Sequence, residues 1–437
     1  MKYSYIFGFA ALAFLAGCKN NIQPTAPQKG NANFTKYVAI GNSLTAGYGD
    51  GSLYKSGQEN AYPAILAAQF AAVGGGDFKT PYLLDDNGYP GMKNVLGYKE
   101  DCATGVLSLA PVPLDGTVNP ANGDNISAQG PFNNLGIPGI RLLDMAIPYY
   151  ATLNPYSKRF LSATEATGTM LDYVVASNPT FFTCWLGSND VLGYAGSGGT
   201  GSASGFMPSD ITPLANFKTI YDDLITKMVA NGAQGVLITI PDVTSTPAFN
   251  TIPYNGLVLE REGQVDSLNA AYSPLGISFI LGNNPFIIAD ATAPGGMRKM
   301  KEGELIILSA IDSIKCGGWG SKKPLPDAAT LDNEEMGYIT TATKAFNDII
   351  KDNAARHNLA IFDANEYLKT LAPGMVWNGA KYNLSFIAGG LFALDGVHLN
   401  PRGYALVANG IMKAINEKYG SSLEMVDINN YRSNIFP

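Results

Sequence analysis

Short apolar runs alternate with longer helical patterns along most of this chain. Four runs are continuously apolar and bounded by turn residues, which is typical of strands buried on both faces. These predicted strands are residues 37–40, 180–186, 235–240 and 359–363. Elsewhere apolar residues recur at intervals of three and four, which predicts helices at 62–73, 140–150, 169–176, 217–230, 333–353 and 401–419. The alternation predicts an α/β fold whose parallel sheet is covered by helices on both faces.

Three stretches interrupt this alternation, at residues 74–130, 193–213 and 245–332. Long irregular insertions in a compact domain are usually functional lids or disordered segments. Residues 193–213 are rich in glycine and include Tyr194 and Phe206, which favours a mobile lid at the mouth of a pocket. We expect residues 34–437 to form one domain that carries these insertions, because the motifs described below lie near both ends and must meet in one site.

The first residues of the chain resemble an export signal. Lys2 precedes an apolar run from Ile6 to Leu15, which is too short to span a membrane and predicts a signal peptide over residues 1–17. The small residues before Cys18 are similar to the lipobox of bacterial lipoproteins. That resemblance implies a lipidated Cys18, a flexible tether over residues 18–33, and a location at the bacterial cell envelope, where the outer membrane is the expected site. A plain signal peptide with an incidental cysteine is the alternative.

Composition narrows the range of partners. The net charge is −7, and no cluster of Lys and Arg is long enough to follow a phosphate backbone, so we expect no nucleic-acid partner.

Cys184 lies in an apolar run and is predicted to be a buried free thiol. Cys102 and Cys316 lie in loop-like insertions and could pair in an oxidising compartment, although spacing alone cannot show that they are close. With two distant histidines we expect no metal site and no cofactor, and we expect a monomer.

The two histidines, His357 and His398, limit where acid–base chemistry can occur. Asp395 stands three residues before His398, and Asn400 followed by proline predicts the start of a helix just after it. His357 is predicted to end a helix. Ser43 follows the first predicted strand directly, which places it at the carboxyl end of a strand, where open α/β sheets bind ligands. The Gly-x-Ser-x-Gly pentapeptide is absent, which disfavours the α/β-hydrolase fold.

Four short blocks in order resemble the signature of the SGNH/GDSL hydrolase family. They are Gly41-Asn42-Ser43-Leu44, Asn134-Leu135-Gly136-Ile137-Pro138-Gly139, Gly187-Ser188-Asn189-Asp190 and Asp395-Gly396-Val397-His398. Asn42 stands where the family name has aspartate, a residue outside the family's catalytic triad. In the second block the family's glycine aligns with Gly139, and Gly136 is the alternative. The resemblance implies a flavodoxin-like, three-layer α/β/α sandwich, here with large loop insertions.

The same resemblance implies a role for each matching residue. Ser43 would be the nucleophile, His398 the general base and Asp395 its partner, while the backbone N–H groups of Ser43 and Gly139 and the side-chain amide of Asn189 would form an oxyanion hole. Each also has a structural interpretation, as a cap, a turn former or a glycine of special backbone angle.

Two functions therefore follow from the sequence. The first is a serine esterase acting on small-molecule, glycan or lipid esters at the bacterial envelope, attached to the membrane by its N-terminal lipid. The alternative is a non-catalytic envelope lipoprotein that binds glycan or lipid on the same fold. The insertions suit sugar stacking as well as acyl chains, so the sequence does not choose a substrate.

Overall fold

The computed structural model describes residues 26–102 and 105–436. The predicted signal peptide and Cys18 lie outside the described residues. The strands are β1 (Tyr37–Gly41), β2 (Asn94–Glu100), β3 (Leu107–Pro113), β4 (Asn134–Gly136), β5 (Phe181–Trp185), β6 (Gln234–Ile238), β7 (Leu257–Leu259), β8 (Gly282–Asn284), β9 (Ile287–Ala289), β10 (Met297–Lys299), β11 (Leu305–Ile306), β12 (Thr330–Leu331), β13 (Ala360–Phe362), β14 (Met375–Trp377) and β15 (Ala380–Tyr382). The α-helices are α1 (Ser43–Ala46), α2 (Lys55–Glu59), α3 (Tyr62–Ala71), α4 (Tyr150–Leu153), α5 (Ser157–Phe160), α6 (Met170–Ala176), α7 (Asn189–Gly196), α8 (Leu214–Val229), α9 (Pro247–Asn250), α10 (Glu262–Tyr272), α11 (Ile311–Gly317), α12 (Asn333–Arg356), α13 (Ala364–Leu371) and α14 (Pro401–Tyr419).

The central sheet has five strands in the order β13-β6-β5-β1-β4, and all neighbouring strands are parallel. Counted in chain order, these strands are arranged 2-1-3-4-5, which is the flavodoxin-like order. The prediction of a parallel α/β sheet is therefore confirmed, and each of the four predicted strands is present with slightly different ends.

Alternating residues of the strands divide the core into two layers. Val38 and Ile40 pack with helices α6, α8 and α12 on one face of the sheet. Tyr37 and Ala39 point to the other face, where they pack with α3 and α14. Because successive strand side chains point to opposite faces, one buried strand serves both cores. The result is the predicted three-layer α/β/α sandwich.

One predicted helix is wrong. Residues 140–150 form a short 3₁₀ turn at Leu143–Ala146 and then a separate α4. Pro148 lacks the N–H that a continuous helix needs, and the carbonyl of Ile140, which in a helix would accept from residue 144, accepts from the side-chain amide of Asn189 instead. A polar side-chain partner has replaced the helical hydrogen bond. Helices α7, α10 and α13, in contrast, are present where no helix was predicted.

The insertions contain small folded units of their own. Residues 245–332 include the antiparallel pairs β7–β8, β9–β10 and β11–β12 and two small apolar clusters. Residues 74–130 include the long hairpin β2–β3. A disulfide between Cys102 and Cys316 joins this hairpin to α11, with the two Cα atoms 5.6 Å apart. Cys184 is buried and unpaired, as predicted.

The predicted tether is too long at its carboxyl end. The backbone N–H of Asn31 donates to Tyr419 O at 2.8 Å, and the N–H of Asn33 donates to the Gln234 side chain at 2.9 Å. Ala32 is buried. Residues 28–33 are thus held at the amino ends of the strands, because their backbone groups find partners on the body of the protein. Among the described helices, none is long and apolar enough to cross a membrane.

Candidate active site

Ser43 is placed by the end of β1 and the tight turn that follows it. A Cβ on Gly41 would lie 2.0 Å from Thr45 Oγ1, so only glycine allows the chain to fold back this closely. Asn42 caps the four-residue helix α1, its side-chain oxygen accepting from Leu44 N at 3.1 Å. Asn and Asp are comparable caps, which explains why Asn is compatible with this position. The turn leaves Ser43 as the first residue of α1, with 8% of its surface exposed.

His398 reaches Ser43 from the loop that precedes α14. Its Nε2 lies 2.8 Å from Ser43 Oγ, and its Nδ1 lies 3.0 Å from Asp395 Oδ2. The other carboxylate oxygen of Asp395 accepts from the backbone N–H groups of Val397 and His398, at 2.9 and 2.8 Å. Asn400 caps α14 by accepting from Gly403 N, as the sequence predicted. The structure therefore brings Ser43, His398 and Asp395 into one chain of hydrogen bonds.

The environment of Asp395 keeps it ionised. Burial acts to raise the pKa of this carboxyl group, but the charge of His398 and the hydrogen bonds from His398 and Val397 outweigh burial. The pKa of Asp395 therefore lies well below its usual range. An ionised carboxylate at this position accepts the Nδ1–H of the imidazole and leaves Nε2 free to take a proton from Ser43.

Residues that the sequence interpretation missed hold this loop in place. Asp395 Oδ2 also accepts from Gly51 N at 3.0 Å. Asp50 accepts from Leu394 N at 2.9 Å and from the Tyr54 hydroxyl at 2.7 Å. Burial raises the pKa of Asp50. These hydrogen bonds connect the segment at Asp50 and Gly51 with the loop that carries Asp395, although the two segments are far apart in sequence.

Tyr48 is a further contact of the catalytic histidine candidate. Its ring centroid lies 4.7 Å from that of His398, and its hydroxyl donates to Gly51 O. Burial, followed by the nearby charge of Asp395, raises the pKa of Tyr48 to about 12, so the hydroxyl is neutral at physiological pH. The ring packs against the imidazole and limits its rotation.

Gly139 and Asn189 follow the two strands that flank β1. In the sheet Gly41 is paired with Gly136 of β4 on one side and with Trp185 of β5 on the other. Gly139 has a φ of +84°, a backbone conformation that favours glycine. Asn189 begins α7, and its amide donates to Ile140 O at 2.9 Å. An amide carries two N–H groups, so this bond orients the group and uses only one of them.

Tyr194 does not lie where the lid interpretation expects it. Tyr194 is 2% exposed and belongs to the core beneath α7. Phe206 is exposed, but its carbonyl oxygen accepts from the Arg141 guanidinium at 3.0 Å. Asp210 accepts from Ser202 N and so closes the loop on itself. Hydrogen bonds tie this segment to the body of the protein.

His357 is the C-cap of α12, as predicted.

Asp190 connects helix α7, which carries Asn189, with the segment that follows Gly139. Its buried carboxylate accepts from Leu142 N and from Thr212 Oγ1, both at 2.7 Å. Burial raises the pKa of Asp190 to about 6, against the lowering effect of those hydrogen bonds. Asp190 thus fixes the segment after Gly139 relative to α7, and we assign it a positioning role.

The raised pKa of Asp190 predicts a pH-dependent stability. A carboxyl group whose pKa is higher in the folded than in the unfolded protein stabilises the fold fully below its unfolded pKa of about 4. This stability is lost as the pH rises through the folded pKa of about 6. Between pH 4.5 and 7.5 the wild type should therefore lose about 2 kcal/mol more of its free energy of unfolding than Asp190→Asn does. Urea unfolding at both pH values measures this. Glu335 has a pKa raised to about 7 by burial but is present in both proteins, so their difference isolates Asp190. Parallel profiles would contradict the prediction.

Comparison with known protein families gives one match. Residues 37–411 match the model for GDSL-like Lipase/Acylhydrolase, which covers most of the chain and all four sequence blocks. The chain belongs to the GDSL-like lipase/acylhydrolase family. The family resemblance seen in the sequence is therefore confirmed, and membership of this family supports a hydrolase function for the GDSL-like protein.

Solved structures similar to this GDSL-like protein share little of its sequence. A lipase/acylhydrolase from Enterococcus faecalis is 13% identical, with 90% of this chain and 99% of that one covered and a TM-score of 0.33. An extracellular lipase from Streptomyces rimosus is 13% identical, with 88% and 99% covered and a TM-score of 0.34. An acetyl xylan esterase from Geobacillus stearothermophilus is 14% identical, with 91% and 99% covered and a TM-score of 0.35. Comparison with curated protein sequences gives no match.

Proposed function

We propose that this protein is a serine esterase that hydrolyses carboxylic esters with Ser43 as nucleophile, His398 as general base and Asp395 as the partner of the imidazole. One observation carries the proposal: hydrogen bonds of 2.8 Å and 3.0 Å connect Ser43 Oγ to His398 and His398 to Asp395. Serine is a weak nucleophile at its ordinary pKa, so a base at hydrogen-bond distance is the feature that makes it reactive.

The reaction follows from this geometry. Ser43 Oγ attacks the ester carbonyl carbon as its proton passes to His398 Nε2. The bond between the carbonyl carbon and the alcohol oxygen then breaks, and the imidazolium gives its proton to the departing alcohol. Water attacks the acyl-enzyme in the same manner, with His398 taking a proton from water and returning it to Ser43 Oγ as the acid leaves. Asp395 stabilises the imidazolium in both steps.

Negative charge on the carbonyl oxygen requires donors that are already in place. The backbone N–H groups of Ser43 and Gly139 and the amide of Asn189 come from the carboxyl ends of three adjacent strands, β1, β4 and β5. The hydrogen bond from Asn189 to Ile140 O holds the amide in one orientation. Preorganised donors of this kind are usually the largest single contribution to acyl-transfer catalysis.

Loss of the Asn189 amide should slow the chemical step selectively. We expect Asn189→Ala to lower kcat about 10²–10³-fold, because one oxyanion donor is lost. Steady-state kinetics on p-nitrophenyl acetate, with kcat and KM separated, measures this. Asn231→Ala, at a remote exposed asparagine, is the control. A change in KM alone would assign Asn189 to substrate binding rather than to charge stabilisation.

Covalent labelling tests the proposed nucleophile without assuming a substrate. An alkyl fluorophosphonate should transfer its phosphonyl group to Ser43 Oγ with loss of fluoride, and peptide mass spectrometry should locate the added mass at Ser43. His398→Ala should label far more slowly, because its base is absent. Absence of labelling, together with no hydrolysis of any ester tested, would favour the alternative of a non-catalytic protein that binds glycan or lipid.

We also propose that the enzyme is an exported lipoprotein of the bacterial envelope, anchored through Cys18. The lipobox-like residues before Cys18 support this location. The disulfide between Cys102 and Cys316 supports it as well, because structural disulfides persist in oxidising compartments. Since residues 28–33 lie at the amino ends of the strands, an anchor at Cys18 would enter the protein opposite the edge that carries Ser43.

Metabolic labelling tests the anchor. Cells that express the full chain and are given radioactive palmitate should yield a labelled protein in the membrane fraction, and Cys18→Ser should abolish both the label and the membrane association. Equal label in both proteins would contradict lipidation at Cys18. Retention of the Cys18→Ser protein in the membrane would point to another mode of attachment.

A further inference from the structure

A large cavity opens beside the proposed catalytic histidine. It has a volume of about 860 Å³, and Tyr48, Asp395, Val397 and His398 are among the residues that line it. Pockets that enclose a ligand much larger than an acetyl group typically measure about 300–1,000 Å³. The cavity is therefore more spacious than a short ester requires.

Beyond His398 most of the wall of this cavity is apolar. Ala110, Leu192, Phe249 and Ile311 belong to this apolar part, and Lys99, Asp312 and Lys315 are among the charged residues that also line the cavity. A sugar needs hydrogen-bond partners for its hydroxyl groups, and the aliphatic part of the wall supplies none. Burial of an alkyl chain against the same walls is favourable. The wall chemistry thus favours an apolar chain over a glycan.

The cavity is roofed by two elements from different insertions. The hairpin β2–β3 contributes Ala110, and α11 contributes Ile311. The Cys102–Cys316 disulfide joins these elements, and Lys99 pairs with Asp312 at 2.6 Å. The ion pair is exposed and therefore contributes little, so the covalent bond is the principal connection between the two elements. The disulfide thus holds these two parts of the cavity wall together.

From these observations we propose that the cavity binds a long apolar chain of the ester substrate, so that the enzyme prefers medium- and long-chain esters to acetyl esters. This inference rests on the proposed esterase function. The chain can belong to the acyl or to the alcohol half of the ester, since both halves are attached to the carbon that reacts next to His398. The chemistry recognised is the same in either case.

Two substrate series test the proposal and show whether the bound chain belongs to the acyl or to the alcohol half of the ester. The first is p-nitrophenyl esters from acetyl to decanoyl, and the second is alkyl acetates from ethyl to decyl, all below their micellar concentrations. Each buried methylene is worth up to roughly fourfold in kcat/KM. We therefore expect at least one series to rise about 10²-fold or more from its shortest to its longest member. A flat profile in both series, or a preference for acetylated glycans, would overturn the proposal.

A pair of tryptophan variants on β3 assigns any preference to this cavity. Ala110 lines the cavity, whereas Leu107 on the same strand is not part of the lining and is 63% exposed. Ala110→Trp should lower the ratio of long-chain to acetyl kcat/KM by about tenfold or more, since the indole fills space that several methylenes need. Leu107→Trp should leave the ratio unchanged. If both variants keep the wild-type ratio, the chain binds elsewhere and the proposal is wrong.

A binding measurement separates this proposal from the esterase function. Displacement of a fluorescent fatty-acid analogue by decanoate can be followed on Ser43→Ala, which needs no catalysis. Tight binding that Ala110→Trp weakens supports the cavity even if no ester is hydrolysed. Ester hydrolysis that depends on Ser43, with no decanoate or decanol binding, would retain the esterase and reject the cavity.

Discussion

Ser43→Ala should reduce ester hydrolysis by about 10⁴–10⁶-fold in kcat/KM, leaving only what positioning and the oxyanion donors can do without a nucleophile. The expected loss is large because Ser43 Oγ and His398 Nε2, 2.8 Å apart, act as a unit. Removing either member of such a pair removes most of the benefit of both. The measurement is hydrolysis of p-nitrophenyl butyrate by purified residues 19–437, wild type against variant.

Ser188→Ala is the matched control for this experiment. Ser188 is buried next to Asn189, and among the described residues its hydroxyl has no hydrogen-bond partner. Loss of that hydroxyl should leave both activity and stability close to wild type. If Ser43→Ala retains substantial hydrolysis while its circular dichroism and melting temperature match the wild type, a different nucleophile acts. If it fails to fold, labelling of the wild type by fluorophosphonate still identifies the nucleophile.

The components of the candidate site were predictable because each follows a local signal. Ser43 and Asn189 come immediately after buried strands, and parallel strands bring their carboxyl ends to one edge of the sheet. His398 is identified by scarcity, since the chain has only two histidines and His357 ends a helix. Short-range patterns and the rules of parallel sheets were therefore sufficient to place these groups near one another.

The supports of the site were not predictable, because they depend on contacts between distant parts of the chain. Asp50 and Gly51 form hydrogen bonds with Leu394 and Asp395. In the sequence, Asp followed by Gly is an ordinary turn signal and has no visible connection to the histidine loop. The roof of the cavity is a similar case, since the pairing of Cys102 with Cys316 requires proximity that spacing does not reveal.

The missed strand and the wrong helix have a common cause. β4 has only three residues, and so short a run carries no clear periodicity from which to predict a strand. The predicted helix at 140–150 has suitable apolar spacing, but the Ile140 carbonyl accepts from the Asn189 amide instead of from a helical N–H. In both places tertiary hydrogen bonding at the site overrode the local pattern. Departures of this kind are expected near functional residues.

Asp395→Asn should be the second most damaging substitution, lowering kcat by about 10³–10⁴-fold while the protein remains folded. The carboxylate accepts from His398 Nδ1 at 3.0 Å, which places the imidazole proton on Nδ1 and leaves Nε2 as the base. An asparagine amide can donate to Nδ1 instead, which favours the opposite tautomer with its proton on Nε2. That form cannot accept a proton from Ser43. Steady-state kinetics at neutral pH measures the loss.

The stability of Asp395→Asn as a function of pH tests whether the carboxylate is ionised, independently of activity. Its pKa lies below its usual value despite burial, because His398 and the backbone N–H groups of its own loop favour the charged form. A group with a depressed pKa contributes stability above its unfolded pKa of about 4, and that contribution is lost as pH falls further. The variant should therefore be less stable than wild type at pH 7, and the difference should shrink below about pH 4. A difference that stays constant with pH would mean that folding leaves the pKa of Asp395 unchanged and would contradict this prediction. A wild-type advantage that grows as pH falls would mean that Asp395 is neutral in the folded protein, and the imidazole would then lack the partner that this mechanism requires.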